Sequence, residues 1–208
     1  SVPAVVLTAL ILFGLSTWNS TMVPDTSDAH IVEVYGQQFN WTVRHAGDDN
    51  QLGNAHFTLI EGVNTLGVDI KDSASHDDLI VREIHLPVNK QVLMMFRAQD
   101  VIHSAYMPHF NVQMNCVPGM NTQFAFTPTM TTKDIRLDPE MVERMELVNS
   151  ERAKKGEDSV EFDYVLLCNK ICGSAHYNMQ IKVIVETEEE YNAWLAEQET
   201  FSSLVSVQ

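Results

Sequence analysis

Residues 162–185 read FDYVLLCNKICGSAHYNMQIKVIV. Two apolar, β-branched runs, Phe162 to Leu167 and Gln180 to Val185, have the composition of strands. Between them, from Cys168 to Met179, lies a loop anchored at both ends. It carries two thiols (Cys168 and Cys172), an imidazole (His176) and a thioether (Met179). These donor types favour copper, zinc or iron–sulfur over magnesium or calcium.

Working outward, the chain before this loop is built of further short runs of the same kind. Residues 31–43, IVEVYGQQFNWTV, read as one strand; 79–86, LIVREIHL, and 91–97, QVLMMFR, read as two more, separated by a turn-like break from Pro87 to Lys90. Val101 to Met107, around His103, is apolar and stops at Pro108. Phe110 to Val117 stops at Pro118-Gly119, and Thr122 to Thr127 stops before Pro128. Residues 45–77 are rich in Gly, Asn, Asp, Ser and His and read as loops with at most one or two short strands. Many short strands with turn punctuation predict a mainly β domain, a sandwich or Greek-key barrel.

Two helices interrupt this rhythm. Asp138 is placed to cap, Pro139 fits a first helical position, and Met141, Met145 and Val148 recur at helical spacing, predicting an inserted helix within about 131–161. Thr187-Glu-Glu-Glu190 has the form of a capping box, and Tyr191, Trp194, Leu195 and Gln198 follow on one face, predicting a C-terminal helix on the sandwich edge.

Residues 2–22, VPAVVLTALILFGLSTWNSTM, carry no charge, and about 20 such residues cross a bilayer. A transmembrane helix over 1–22 is expected, with Trp18 at the interface and room for an earlier helix upstream. A secretory signal peptide fits less well because no Lys or Arg precedes the apolar run. Asp25, Asp28 and Glu33 follow it, and no Lys or Arg appears until Arg44, which puts 23–208 on the exterior side, periplasmic or intermembrane-space. The formal net charge of −15 falls on that part. It disfavours nucleic acid and anionic lipid as partners and attracts basic proteins.

Three readings of the loop stay open on spacing alone. A zinc site would use Cys168, Cys172, His176 and one more histidine, but leaves Met179 unexplained. A Cys168–Cys172 disulfide needs neither His176 nor Met179. A dithiolate shared between two copper ions uses all four residues and asks for a second histidine from elsewhere.

The pattern C-x3-C-x3-H-x2-M resembles the binuclear copper (CuA) loop of the cytochrome c oxidase subunit II family. Asp100-Val-Ile-His103-Ser104 is similar to that family's D-V-x-H-S strand, Val117-Pro118-Gly119 to one of its turns, and Gly36-Gln37-Gln38-Phe39-Asn40-Trp41 to its aromatic segment. The resemblance implies a cupredoxin-like sandwich on a membrane anchor, binding two copper ions. It implies that Cys168 and Cys172 bridge the ions, that His176 and His103 ligate one each, and that Met179 and the carbonyl of Lys170 are weak axial donors. The implied role is an electron relay from cytochrome c, or a tethered cytochrome c domain, to haem in the catalytic subunit I of a proton-translocating respiratory oxidase.

The chain departs from the family in three places. Lys170 stands where the family has a glutamate that helps bind magnesium; an ammonium group cannot coordinate that ion, so magnesium is not expected through this residue. Phe39 takes the place of a tryptophan treated as the electron entry, while Trp41 is retained. Asp100 aligns with an acidic residue implicated in docking, and reads equally well as an exposed turn carboxylate. The inserted helix also lengthens the interval between His103 and Cys168. His109 is a substitute ligand candidate, Cys116 a small buried thiol, and His30, His45, His56, His76 and His85 surface or core residues. Competing functions are a membrane-tethered copper chaperone and a zinc-stabilised interaction module.

Overall fold

The computed structural model describes residues 1–206. The first element is a helix, α1 (Val2–Met22), with Pro3 in its first turn and no buried residue. It is long and apolar enough to cross a membrane, and Trp18 is exposed near its polar end.

Ten strands follow: β1 (His30–Gln37), β2 (Asn40–His45), β3 (Leu79–Val81), β4 (Ile84–Pro87), β5 (Val92–Ala98), β6 (His103–Met107), β7 (Val112–Cys116), β8 (Thr122–Phe126), β9 (Tyr164–Cys168) and β10 (Gln180–Glu186). They form two five-stranded sheets, ordered β3-β2-β1-β5-β8 and β4-β10-β9-β6-β7. The pairs β1–β5 and β4–β10 are parallel and the rest antiparallel. Alternate residues point inward, as strand geometry requires. Val32, Val34, Trp41, Val43, Met94 and Phe96 of the first sheet are buried in one core cluster with Ile84, Leu86, Leu166 and Val183 of the second.

Three expectations about strands change. Residues 31–43 form a hairpin rather than one strand: β1 and β2 meet with Gln37 opposite Asn40. Gln38 and Phe39 make the turn, and the register sets Val34 against Val43, so both runs keep their apolar face inward. Residues 79–86 are two strands, because exposed Arg82 and Glu83 break the run and β3 and β4 join different sheets. The stretch 110–117 begins as a 3-10 turn, Pro108–Phe110, closed by Asn111 at φ 54°, and only then becomes β7.

The outer face of the first sheet holds charge that the sequence reading assigned to no core. Arg44 Nε lies 2.9 Å from Glu33 Oε2 and its Nη1 lies 3.2 Å from Asp78 Oδ2, and Arg97 pairs with Glu33 from β5. Arg44, Glu33 and Asp78 are almost fully buried. The 46–78 segment covers them, with two 3-10 turns and a bridge between Ala55 and Val68.

Helices α2 (Thr132–Ile135) and α3 (Pro139–Lys154) lie between β8 and β9. The Asp138 side chain accepts from the Glu140 and Met141 amides, giving α3 its cap, and Met141 is its one buried residue. Helix α4 (Glu188–Glu197) starts at the capping box of Thr187 and Glu190. It buries Tyr191 over the end of the sandwich, and a short helix not expected from the sequence, α5 (Phe201–Ser206), follows.

Candidate metal centre

The second sheet brings the soft donors together. Strand β6 pairs antiparallel with β9, setting Ala105 opposite Cys168, and the Asn169 amide bonds to Ser104 O at 2.9 Å. His103, two residues before Ala105, therefore lies beside the start of the loop. At the loop's other end the Cys168 amide bonds to Met179 O at 3.0 Å, closing it at its base.

The donor atoms form a compact chain. Cys168 Sγ lies 3.8 Å from His103 Nδ1, 3.8 Å from Cys172 Sγ, and 3.2 Å from the Lys170 carbonyl oxygen to which its thiol donates. Cys172 Sγ in turn lies 3.5 Å from His176 Nδ1 and 3.8 Å from Met179 Sδ. His103, Cys168, Cys172 and Met179 are buried and His176 is half-buried. The ligand atoms of His103, Cys168 and Cys172 all lie within 4.8 Å of one another. All three cysteines are free thiols in this structure. Two sulfurs bound to one tetrahedral ion at about 2.3 Å stand roughly 3.8 Å apart, so the observed sulfur spacing fits a shared metal.

Each imidazole is oriented for its neighbour. His103 presents Nδ1 to the sulfur while Nε2 donates to Asp100 Oδ1 at 2.9 Å, the arrangement in which a ligating histidine is held by a carboxylate behind it. Burial works to raise the Asp100 carboxyl, but bonds from the Gln38 amide, the His103 ring and the Val101 amide outweigh it and hold the group below the usual carboxylate range. Burial, and then the adjoining Cys168, push the Cys172 thiol up to about 11.

The remaining candidates divide. Trp41 is fully buried, its indole N–H donates to Met179 O at 3.3 Å, and its ring lies 5.8 Å from that of His103. Gly36 makes this closeness possible, since a Cβ there would stand 3.0 Å from both rings. Phe39, half-buried, lies against Gly173. Asp100 faces inward through its bonds while its side chain stays 28% exposed. The Lys170 side chain is exposed beside the cluster. His109 instead packs on Phe162 and Tyr164, with ring centroids 4.9 and 5.7 Å away. Cys116 stands opposite His103 on β7, buried, with its thiol pushed up to about 12 by that burial. His30, His45 and His85 are buried near α4, while His56 and His76 are exposed. The sequence reading missed Gln38, whose side chain bonds to the Cys172 carbonyl; two successive glutamines between apolar alternations were the available sign of a turn.

The fold and the cluster define a class: a two-sheet β-sandwich beside an apolar helix, with a candidate soft-metal centre at one end. Residues 30–133 match the family described as cytochrome c oxidase subunit II, periplasmic domain. This span includes His103 but stops short of the cysteine loop. An alternative cytochrome c oxidase subunit 2 of Bradyrhizobium diazoefficiens is 35% identical over 198 residues, covering 94% of this chain and 60% of the relative. The cytochrome c oxidase subunit 2 of Cereibacter sphaeroides is 26% identical over 207 residues, covering 93% of this chain and 57% of the relative. The chain thus spans about 60% of the length of such relatives. The crystal structure of the periplasmic domain of subunit II of cytochrome oxidase from Bradyrhizobium japonicum shares the fold, with a TM-score of 0.52 at 21% identity over 85% of this chain and 96% of that one. The chain belongs to the cytochrome c oxidase subunit II family.

Proposed function

We propose that the chain is the electron-accepting subunit of a haem–copper oxidase and that its metal centre holds two copper ions. In this reading Cys168 and Cys172 bind as thiolates shared by both ions. His103 and His176 would offer their Nδ1 atoms, and the Met179 thioether and the Lys170 carbonyl would complete the donor set as weaker ligands. The observation that carries the reading is the pair of thiols 3.8 Å apart with an imidazole Nδ1 within 3.8 Å of each. A copper pair bound there supplies a one-electron acceptor and donor. The chain's own part is to hold the donors still: the ladder contacts of β6, β9 and β10 fix them, and burial keeps water from the sulfurs. Donors that do not move when charge changes keep the cost of each transfer low.

Electrons come from cytochrome c or a tethered cytochrome domain outside the membrane and pass to haem on the catalytic subunit. The exterior placement rests on the lack of any Lys or Arg between α1 and Arg44. Phe39, in the β1–β2 turn, lies against Gly173 of the loop, and the Trp41 indole bonds to Met179 O and lies beside His103. Magnesium is not expected at residue 170, where an ammonium replaces a carboxylate.

A zinc-stabilised module or a copper chaperone would leave part of this donor set unused, and family membership weighs against both. Copper quantification with electron paramagnetic resonance on the purified complex tests the reading. Two coppers per chain with a mixed-valence signal are expected; one zinc, or no metal, overturns it.

A further inference from the structure

The β1–β2 turn gives no donor atom to the cluster, yet it touches both segments that do. The Gln38 backbone N–H donates to Asp100 Oδ2 at 2.7 Å, and Asp100 Oδ1 accepts from His103 Nε2 at 2.9 Å and from the Val101 amide at 2.7 Å. The Gln38 side-chain amide donates to the carbonyl of Cys172. Phe39 then lies against Gly173, where a Cβ would stand 2.7 Å from its ring and 2.9 Å from the Gln38 amide nitrogen. Gly173 has φ +146°, a conformation that L side chains rarely adopt. The loop is thereby bent back under the turn in a way only glycine permits.

The turn belongs to the first sheet and both donor segments to the second. We propose that Gln38 is a positioning residue, a brace between the sheets that holds the His103 segment and the Cys168–Met179 loop at metal-ready spacing before any ion arrives. The identity of the ion rests on the copper reading above; the brace itself does not. One backbone bond sets the carboxylate behind His103, and one side-chain bond sets the backbone of Cys172. The sulfur of Cys172 lies within 3.8 Å of Cys168 Sγ, His176 Nδ1 and Met179 Sδ. Freeing its backbone therefore loosens three donor contacts at once. Losing a partner one step behind the ligands weakens metal affinity by about tenfold to a hundredfold.

The test uses the full chain in detergent, first metal-free and then with added copper. Gln38→Ala removes the donor and Gln38→Glu keeps the size but cannot donate. Gln38→Lys restores a donor on a side chain of sufficient reach. In the metal-free chain, alkylation by iodoacetamide, read by mass spectrometry at each cysteine, should rise about fivefold or more at Cys172 in the Ala and Glu variants. Cys116 should be unaffected and the thermal midpoint close to that of the parent. Copper affinity should fall at least tenfold in both, with shifted absorption bands, and the Lys variant should recover most of each effect. Three results overturn the brace: alkylation of Cys172 within twofold of the parent in both variants, a Lys variant as impaired as Ala, or an equal rise at all three cysteines with a lowered midpoint, the mark of general loosening. A parent chain that binds no copper sinks the copper reading instead, and the metal-free alkylation still decides the brace.

Discussion

At the scale of single residues, the site is a set of soft donors whose protonation opposes metal uptake. The Cys172 thiol, pushed up to about 11 by burial and by Cys168, is protonated at neutral pH and must release its proton to bind an ion. Copper uptake should therefore weaken by roughly tenfold, for each thiol proton displaced, with each unit of pH lost between 8 and 6. Chelator-competition titrations at three pH values check this, and a flat profile would mean that the thiol is already ionised. Cys168→Ser should abolish the delocalised mixed-valence spectrum, because an alcohol is a poor replacement for a shared thiolate. An unchanged hyperfine pattern would refute sharing through that sulfur. Much of this was legible: Cys168, Cys172, His176 and Met179 are close in sequence, so their spacing named a soft-donor set, and the family resemblance, not the spacing, pointed to copper. Asp100 was legible as an acidic residue but not as the carboxylate behind His103, because that role depends on where its side chain turns.

At the scale of elements, the end of the sandwich under α4 gathers three buried histidines. His30 Nε2 lies 2.5 Å from the Tyr191 hydroxyl, which also lies 3.4 Å from His45 Nδ1, and His85 stacks on Trp194 at 3.9 Å. Burial, helped by the charge of Lys90, lowers His30 to about 4. The unfolded imidazole takes a proton near pH 6.5 and the folded one resists until about 4, so the folded state is undiminished above 6.5 and loses stability as pH falls through that window. At pH 5 the loss is about 2 kcal/mol. Urea unfolding at pH 7.5 and 5.0 should show His30→Gln losing about 2 kcal/mol less than the parent; equal losses would mean His30 is not held neutral. The inserted helix obeys different physics. Helix α3 buries only Met141 and leaves Leu147 66% exposed, so it is tied to the domain lightly. Asp138→Ala should cost about 1 kcal/mol through the lost cap, with the copper spectrum unchanged, since the donors sit on β6 and the β9–β10 loop. A spectral change on that substitution would show that α3 supports the site. Both helices were legible from caps and periodicity. The division of 79–86 between two sheets was not, because a charged pair inside an apolar run does not say which sheet each half joins.

At the scale of the whole molecule, the net charge of −15 lies outside the apolar helix and gives the domain a long-range negative field. Raising salt should slow oxidation of cytochrome c by the assembled oxidase at low donor concentration, as screening shortens to about 10 Å near 0.1 M. Salt independence would point to a tethered donor or to docking without steering. The field is not a simple surface property. Glu33 and Asp78 are buried with Arg44, so part of the acidic count serves the interior and cannot steer a partner.

The sequence by itself determined the donor set and its spacing, the apolar helix, the many-stranded class of the domain and the two capped helices. All are local, set by neighbours within a few residues. Only the tertiary structure showed how His103, which the resemblance had named, reaches the cysteines from 65 residues away, that residues 31–43 fold back as a hairpin, and that Gln38 in its turn bonds to the loop. Such contacts depend on strand register and on how two sheets stack. A slip of one residue between β6 and β9 would send His103 to the opposite face, and no local pattern records that choice.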